Sequence, residues 1–162
     1  MIQAECIDRG KLKLRIGKAA DVALLIAKHG EDHFHEGGFD AFSVVDTERA
    51  TREMTRLVER DDTPLIIAEI DGEPIGWISW TMMHVFTRAP IAVLWTIYVA
   101  PEHRQSAVGR QLVRGAVDIA KQEGACAFFA TVAPTSPGAQ ALCHLFRSFG
   151  FEPMGGAFSK RL

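Results

Sequence analysis

Two arginines enclose a short run of mostly small residues that could bind phosphate, between Arg104 and Arg110. Small side chains let a ligand approach the backbone closely, and the first N–H groups of a helix attract anions. The two arginines add fixed positive charge at the same place. We therefore predict a phosphate-binding loop that consists of Arg104, Gln105, Ser106, Ala107, Val108, Gly109 and Arg110.

A strand and a helix must hold this loop on either side. Residues 94–99 form an unbroken β-branched and aromatic run, which is typical of a buried strand. Pro101 cannot donate to a strand ladder, so the pairing should stop there. Apolar residues recur with helical spacing from Val108 onward, and Gly124 can end that helix in a left-handed conformation. An ordinary strand-to-helix turn with both arginines in solvent is the alternative interpretation.

The pattern V-x-P-x-x-R-x-x-A-x-G-R before an amphipathic helix resembles the acyl-CoA-binding signature of the GNAT family of N-acetyltransferases. Arg104, Ala107 and Gly109 occupy the three positions of that signature, and Ala107 departs from the glycine that the family usually has there. Neither common nucleotide motif, G-x-G-x-x-G or G-x-x-x-x-G-K-[ST], occurs in the chain. The resemblance covers roughly residues 11–158. It implies acetyl-CoA as the cofactor and direct attack of a primary amine on the thioester.

The predicted fold follows from this resemblance and from the order of the elements. It is an α/β (α+β) architecture with one acyl-CoA N-acyltransferase domain over residues 1–162. A central mixed, mostly antiparallel sheet of six to seven strands is flanked by about four helices. The Asp71-Gly72 pair between two apolar runs indicates a tight hairpin within that sheet.

The first helix and the last strand are also predicted from pattern. Residues 18–29 form the predicted first helix, and Gly30 is its expected end. Residues 151–158 form the predicted last strand. Ala20, Leu24 and Ala27 are expected to lie on one side of the first helix.

Acyl transfer needs groups that stabilise negative charge and protonate the leaving thiolate. Attack on the thioester develops charge on its oxygen, and backbone N–H groups around Ile97, Tyr98 and Val99 are the candidate donors. Family members often carry a tyrosine acid where this chain has Phe146, so that role is vacant here. Tyr98, the only tyrosine, and His144, beside the vacant position, are the candidate acids. Core packing of Tyr98 and a surface position of His144 are the alternatives.

A proton must also leave the acceptor. A lysine-like amine has a pKa of about 10.4 in water, so it needs a group or a water chain that takes its proton. No carboxylate lies on the strand over residues 94–99. Thr96 and His84 are the candidates to hold a water molecule for this step, and proximity of the reactants can supply much of the rate.

The segment after the first helix could form the acceptor side of the site. The resemblance implies that Phe34 and Phe39 line the acceptor pocket and that Glu36 contacts an amine, and Trp80 is a further candidate wall. A polar connection without a binding role is the first alternative. A metal site is the second, although no further ligand completes its shell. Its candidate ligands are His29, His33, His35 and Glu36.

Composition limits the remaining classes of function. A net charge of −2 argues against non-specific binding to nucleic acid or membranes. The three cysteines are widely spaced and odd in number, which indicates reduced thiols and a cytoplasmic protein. The expected partners are a small-molecule or protein amine and, as the common case, a second copy in a homodimer. The rival functions are a CoA-binding module without catalysis and a loop that binds a different nucleotide.

Overall fold

The computed structural model describes residues 12–37, 44–60, 62–84, 88–133, 136 and 138–155. In these ranges five strands form one sheet in the order β1-β2-β3-β4-β5, with four α-helices around it. The strands are β1 (Leu12–Ile16), β2 (Leu65–Ile70), β3 (Glu73–Met83), β4 (Ile91–Val99) and β5 (Ala127–Phe129). The helices are α1 (Ala19–Glu36), α2 (Thr47–Val58), α3 (Val108–Gln122) and α4 (Ala139–Ser148).

The sheet is mixed and mostly antiparallel, as predicted. The three pairings from β1 to β4 are antiparallel, and β4 pairs with β5 in parallel. Asp71 and Gly72 join β2 to β3 with positive φ angles of 52° and 82°, which a type I′ hairpin turn requires. The prediction of six to seven strands is higher than the five strands in the described ranges.

The predicted last strand accounts for part of this difference. Residues 151–155 are not a strand, and residues 156–158 lie outside the described ranges. The chain instead closes α4 with a Schellman turn, in which Phe151 N–H donates to Phe146 O at 3.2 Å and Gly150 N–H to Arg147 O at 3.0 Å. The rings of Phe151 and Phe146 then lie 5.1 Å apart, so this segment packs as a helix end.

Helix α1 continues past Gly30 to Glu36, so the predicted helix end was wrong. Ala20, Leu24 and Ala27 are exposed, so the side of the helix that they share is not the buried one. Contacts with the sheet outweigh the cost of about 1 kcal/mol for a glycine within a helix. The buried residues of α1 are Val22, Leu25, Ile26, His29, Gly30 and His33.

Strand β4 contains a bulge that changes which face of the sheet its side chains join. Thr96 pairs with Ser79 and Leu94 with Trp80, so Trp95 is an extra residue between them. Before the bulge, Leu94 packs in the core under α3. After it, the Thr96 hydroxyl meets His33 of α1. The bulge therefore turns the second half of β4 toward α1.

The two faces of the sheet carry different cores. The face under α3 holds the larger cluster, which includes Ile78, Trp80 and Leu112. The face under α1 holds Leu25, Leu65, Ile67, Trp77, Tyr98 and Ala100. In β2, Leu65 and Ile67 join the α1 face while Ile66 and Ala68 join the α3 face, as the alternation of a strand requires.

Candidate active site

The predicted phosphate loop connects the end of β4 to the start of α3. A 3-10 turn over Pro101–His103 leads into it, and Gln105 adopts a left-handed φ of 60°. The Ser106 hydroxyl donates to His103 O at 2.6 Å and accepts from Val108 N–H at 3.3 Å. Ala107 is exposed at the N-cap of α3. The loop is thus held by its own hydrogen bonds.

The first turn of α3 leaves backbone donors free. Val108 N–H bonds to Ser106, and Gln111 N–H donates to Ala107 O at 2.9 Å. The N–H groups of Gly109 and Arg110 between them have no acceptor within the described part of the chain. Such groups, with the positive end of the helix dipole, form a site for an anion.

Gly109 lies beside β4 and α4, which the sequence pattern did not predict. A Cβ atom at this position would lie 3.4 Å from Leu145 Cδ2 and 3.9 Å from Val99 Cγ2. The missing side chain thus faces β4 and α4 rather than solvent. Both distances are ordinary van der Waals contacts, so an alanine would fit at this position.

One edge of β4 is open beside this loop. Strand β5 pairs only with Ile91, Ala92 and Val93, so from Leu94 onward β4 has no neighbour on that side in the described ranges. Ala100 N–H donates to Ile75 O of β3 at 2.9 Å. Since backbone groups alternate in direction along an antiparallel strand, those of Val99 and Ile97 face the open edge.

Arg104 lies across the end of this edge. Its Nε donates to Val99 O at 2.9 Å, and its Nη2 forms an ion pair with Glu36 Oε2 at 2.7 Å. The guanidinium carbon also lies 5.9 Å from the centre of the Tyr98 ring. Arg104 therefore connects the loop to the end of α1 instead of extending toward the N-terminus of α3.

Tyr98 is buried between the sheet and α1. Its ring centre lies 4.6 Å from that of Trp77 and 5.4 Å from that of His29. The hydroxyl has no hydrogen-bond partner among the described residues. Burial, together with the nearby carboxylates of Asp32 and Glu36, raises the pKa of Tyr98 to about 12. Because a free thiol has a pKa of about 8.5, this phenol is suited to donate a hydrogen bond but not to protonate a thiolate.

His33 and Thr96 form a second polar contact on this face. His33 Nε2 lies 3.0 Å from Thr96 Oγ1, and only 8% of the histidine is exposed. Burial lowers the pKa of His33 to about 4, so the ring is neutral at pH 7. His29 Nε2 donates to Pro74 O at 3.2 Å. The metal alternative gains no support, since no group of three or more ligands is arranged for a metal within the described residues.

The remaining candidates lie in different surroundings. Trp80 is fully buried on the α3 face, with its ring 6.1 Å from that of Phe128. His144 is exposed on α4, and Phe34 lies 5.3 Å from His33 between ring centres. Phe39 lies outside the described residues. The structure thus groups Tyr98 with α1, and Trp80 packs on the opposite face.

A family model for the acetyltransferase (GNAT) family matches residues 31–151, which include β4, the loop and α3. The chain belongs to this family. GNAT acetyltransferases take the acetyl group from acetyl-CoA, so the predicted family and its cofactor are confirmed. Among the described residues, no helix is both long and apolar enough to cross a membrane.

Two curated relatives carry the description of an uncharacterised N-acetyltransferase. The protein from Methanocaldococcus jannaschii is 24% identical over 117 residues, which are 71% of this chain and 50% of the relative. The protein from Archaeoglobus fulgidus is 30% identical over 66 residues, which are 40% of this chain and 45% of the relative. The chain spans about half the length of the curated relatives it matches.

Solved structures confirm the predicted fold class. An aminoglycoside acetyltransferase from an uncultured soil metagenomic sample, in complex with sisomicin, has a TM-score of 0.71 at 16% identity, with 94% of this chain and 97% of that chain covered. AAC(6')-Iy in complex with a bisubstrate analogue of CoA has a TM-score of 0.70 at 17% identity, with 94% and 99% covered. The ribosomal-protein-alanine N-acetyltransferase of Brucella melitensis biovar Abortus 2308 has a TM-score of 0.71 at 14% identity, with 94% and 100% covered.

Proposed function

We propose that this protein transfers an acetyl group from acetyl-CoA to a primary amine. The observation that carries the proposal is the open edge of β4, which leads directly to the bare N-terminus of α3. An open edge fits an extended chain of amides, and a helix N-terminus fits a diphosphate. Coenzyme A contains both groups in sequence. When bound, acetyl-CoA supplies an acetyl thioester for attack by the amine.

The loop and β4 bind different parts of acetyl-CoA. The N–H groups of Gly109 and Arg110 bind the diphosphate, and the residues from Gln105 to Val108 shape the loop around it. The N–H groups of Ile97 and Val99 face the open edge, where they can stabilise the charge that develops on the thioester oxygen. Each donor is held by its secondary structure, so little reorganisation is needed when the charge develops.

The residues on the α1 face serve the acceptor. Tyr98 contributes its free hydroxyl as a hydrogen-bond partner. Neutral His33 holds the Thr96 hydroxyl, which in turn orients a water molecule that relays the proton of the amine to bulk solvent. The carboxylates of Asp32 and Glu36 near Tyr98 favour a cationic acceptor. We propose a small-molecule or protein amine of this kind; the solved relatives include acetyltransferases named for both kinds of acceptor.

A CoA-binding module without catalysis is the second candidate function. Phe146, which stands where family members often have a tyrosine acid, is buried in the apolar core and offers no proton. An assay of free thiol with acetyl-CoA and a panel of amines separates the two functions. Thiol release that depends on one amine supports the enzyme. Thermal stabilisation by CoA without thiol release supports the module, and no stabilisation contradicts both.

Ala107→Glu tests the loop assignment without disturbing the core. Ala107 is exposed at the N-cap of α3, so a carboxylate fits there and favours the helix dipole by about 0.3–1 kcal/mol. The same carboxylate repels a diphosphate. We expect CoA affinity to fall at least roughly tenfold in titration calorimetry while thermal stability is kept.

Ala107→Gln is the matched control, because it has the size of glutamate without the charge. It should retain CoA affinity within about threefold, since only steric effects remain. Equal affinities of the Glu and Gln variants would show that no phosphate lies at this helix end.

A further inference from the structure

The Arg104 side chain occupies part of the groove in which the proposed cofactor pairs. Val99 O is one of the carbonyls that face the open edge of β4, and Arg104 Nε donates to it at 2.9 Å. An amide N–H of the pantetheine arm that pairs with Val99 O must therefore displace Arg104. The displaced Arg104 can then pair with the diphosphate, which would lie beside the loop that contains this arginine.

Glu36 holds Arg104 in this place. Its Oε2 lies 2.7 Å from Arg104 Nη2, and the two side chains are 27% and 38% exposed. Glu36 is the last residue of α1, next to the segment that follows this helix. When Arg104 leaves, the Glu36 carboxylate loses its only cationic partner in the described ranges. A partly buried carboxylate without a partner attracts another cation.

A second, independent feature at this place indicates a ligand. The Tyr98 hydroxyl is buried without a partner, and Tyr98 as a whole is 3% exposed. Its ring lies 5.9 Å from the Arg104 guanidinium carbon, and both charges of the ion pair interact electrostatically with the phenol. An alkylammonium has three donors, and it can give one to a carboxylate and another to a phenol oxygen.

We infer that Glu36 binds two cations in turn: Arg104 while the groove is free, and the ammonium of the acceptor once coenzyme A has displaced Arg104. This inference rests on the proposed function. It makes Glu36 a specificity-determining residue for cationic amines. It also couples the two substrates, because cofactor binding prepares the acceptor site.

The coupling predicts opposite effects of one substitution on the two substrates. Glu36→Gln removes the anion that holds Arg104 in the groove, so CoA should bind about two- to fivefold more tightly, as expected for a half-exposed ion pair. The same variant loses the anion that binds the acceptor. The KM of the amine with the highest turnover in the panel should therefore rise by about fivefold or more.

Two further variants separate this coupling from a general charge effect. Asp32→Asn removes a carboxylate one turn earlier on α1 that has no ion pair in the described ranges, and it should leave CoA affinity unchanged. In an Arg104→Gln background, Glu36→Gln should no longer tighten CoA binding, because there is no guanidinium to release.

Titration calorimetry with CoA tests whether Glu36 holds Arg104 in the groove. Acceptor kinetics test whether Glu36 binds the ammonium of the acceptor. Weaker CoA binding by Glu36→Gln, or equal tightening by Asp32→Asn, would overturn the inference. An unchanged acceptor KM in Glu36→Gln would overturn it as well. Wild-type protein that fails to bind CoA is a different result, since it contradicts the proposed function itself.

Discussion

Trp77 and Trp80 lie three residues apart on β3 and face opposite sides of the sheet. Both are fully buried, and neither indole N–H has a partner among the described residues. Trp80 packs in the apolar core under α3, where Phe128 is its ring neighbour at 6.1 Å. Trp77 lies under α1, 4.6 Å from Tyr98 and 5.2 Å from His33 between ring centres. Equal burial thus conceals very different surroundings.

This difference shows how the work is divided between the two faces. The α3 face stabilises the fold and fixes the helix whose first turn carries the free N–H groups of Gly109 and Arg110. The α1 face holds two buried histidines and a tyrosine hydroxyl without a partner, which an apolar core of the same size does not need. Buried polar groups lower stability unless they are paired. Trp80 Nε1 on the α3 face also lacks a partner within the described ranges, so the faces differ in the two histidines and the phenol, which agree with the acceptor site proposed on the α1 face.

Replacing each tryptophan by alanine should have the largest effect and tests this division directly. Both variants should lose about 3–5 kcal/mol of unfolding free energy in urea titrations, because each leaves a large cavity. Only Trp77→Ala should also lower kcat/KM per folded molecule, since Tyr98 and His33 pack against that ring. A similar loss of kcat/KM in Trp80→Ala would remove the distinction between the faces.

The sequence predicts the α3 side of the molecule better than the α1 side. Around α3 the pattern is simple: apolar residues recur with helical spacing, and Gly124 ends the helix region with a φ of 86°. On α1, His29 and His33 continue the buried stripe that contains Leu25, but a histidine is not an apolar signal. The sequence prediction instead ends the helix at Gly30, because glycine is common just past the end of a helix. Spacing of four residues between Leu25, His29 and His33 is the signal that would have extended the helix.

The bulge at Trp95 and the ion pair of Glu36 could not be predicted from the pattern. Residues 91–99 are apolar at almost every position, so no alternation marks where β4 changes its buried face. Glu36 and Arg104 are 68 residues apart, and only the tertiary fold brings them together. The loop between β4 and α3 was predictable because it depends on local order: strand, proline, small residues, helix.

The pH dependence of stability also tests the difference between the two faces, because the buried His33 lies on the α1 face. Its effect should be smaller than that of the tryptophan variants. Burial lowers the pKa of His33 to about 4 from 6.5, so between these values the unfolded chain binds a proton that the folded chain does not. Stability should therefore fall as the pH decreases from 6.5 to 4, by roughly 3 kcal/mol at most from this residue. Urea titrations at pH 7, 5.5 and 4 measure this slope.

His33→Gln is the control for this titration. Its amide can still bond to Thr96 but does not titrate, so the variant should lose the part of the slope that His33 contributes. Carboxylates titrate equally in both proteins and cancel in the difference. Parallel curves for wild type and variant would mean that His33 is not buried in its neutral form.

Exchanging a hydroxyl between the two faces should give the smallest effect on stability. Tyr98→Phe removes an unpaired buried hydroxyl, so the free protein should gain about 1 kcal/mol of unfolding free energy. Phe146→Tyr places a hydroxyl in the apolar α3 core and should lose a similar amount. Tyr98→Phe should therefore stabilise the protein but impair catalysis. It should raise the KM of the amine, because the acceptor loses a hydrogen-bond partner. If Tyr98→Phe stabilises the protein and leaves acceptor kinetics unchanged, the hydroxyl is a packing residue, and the α1 face is no more functional than the α3 face at this position.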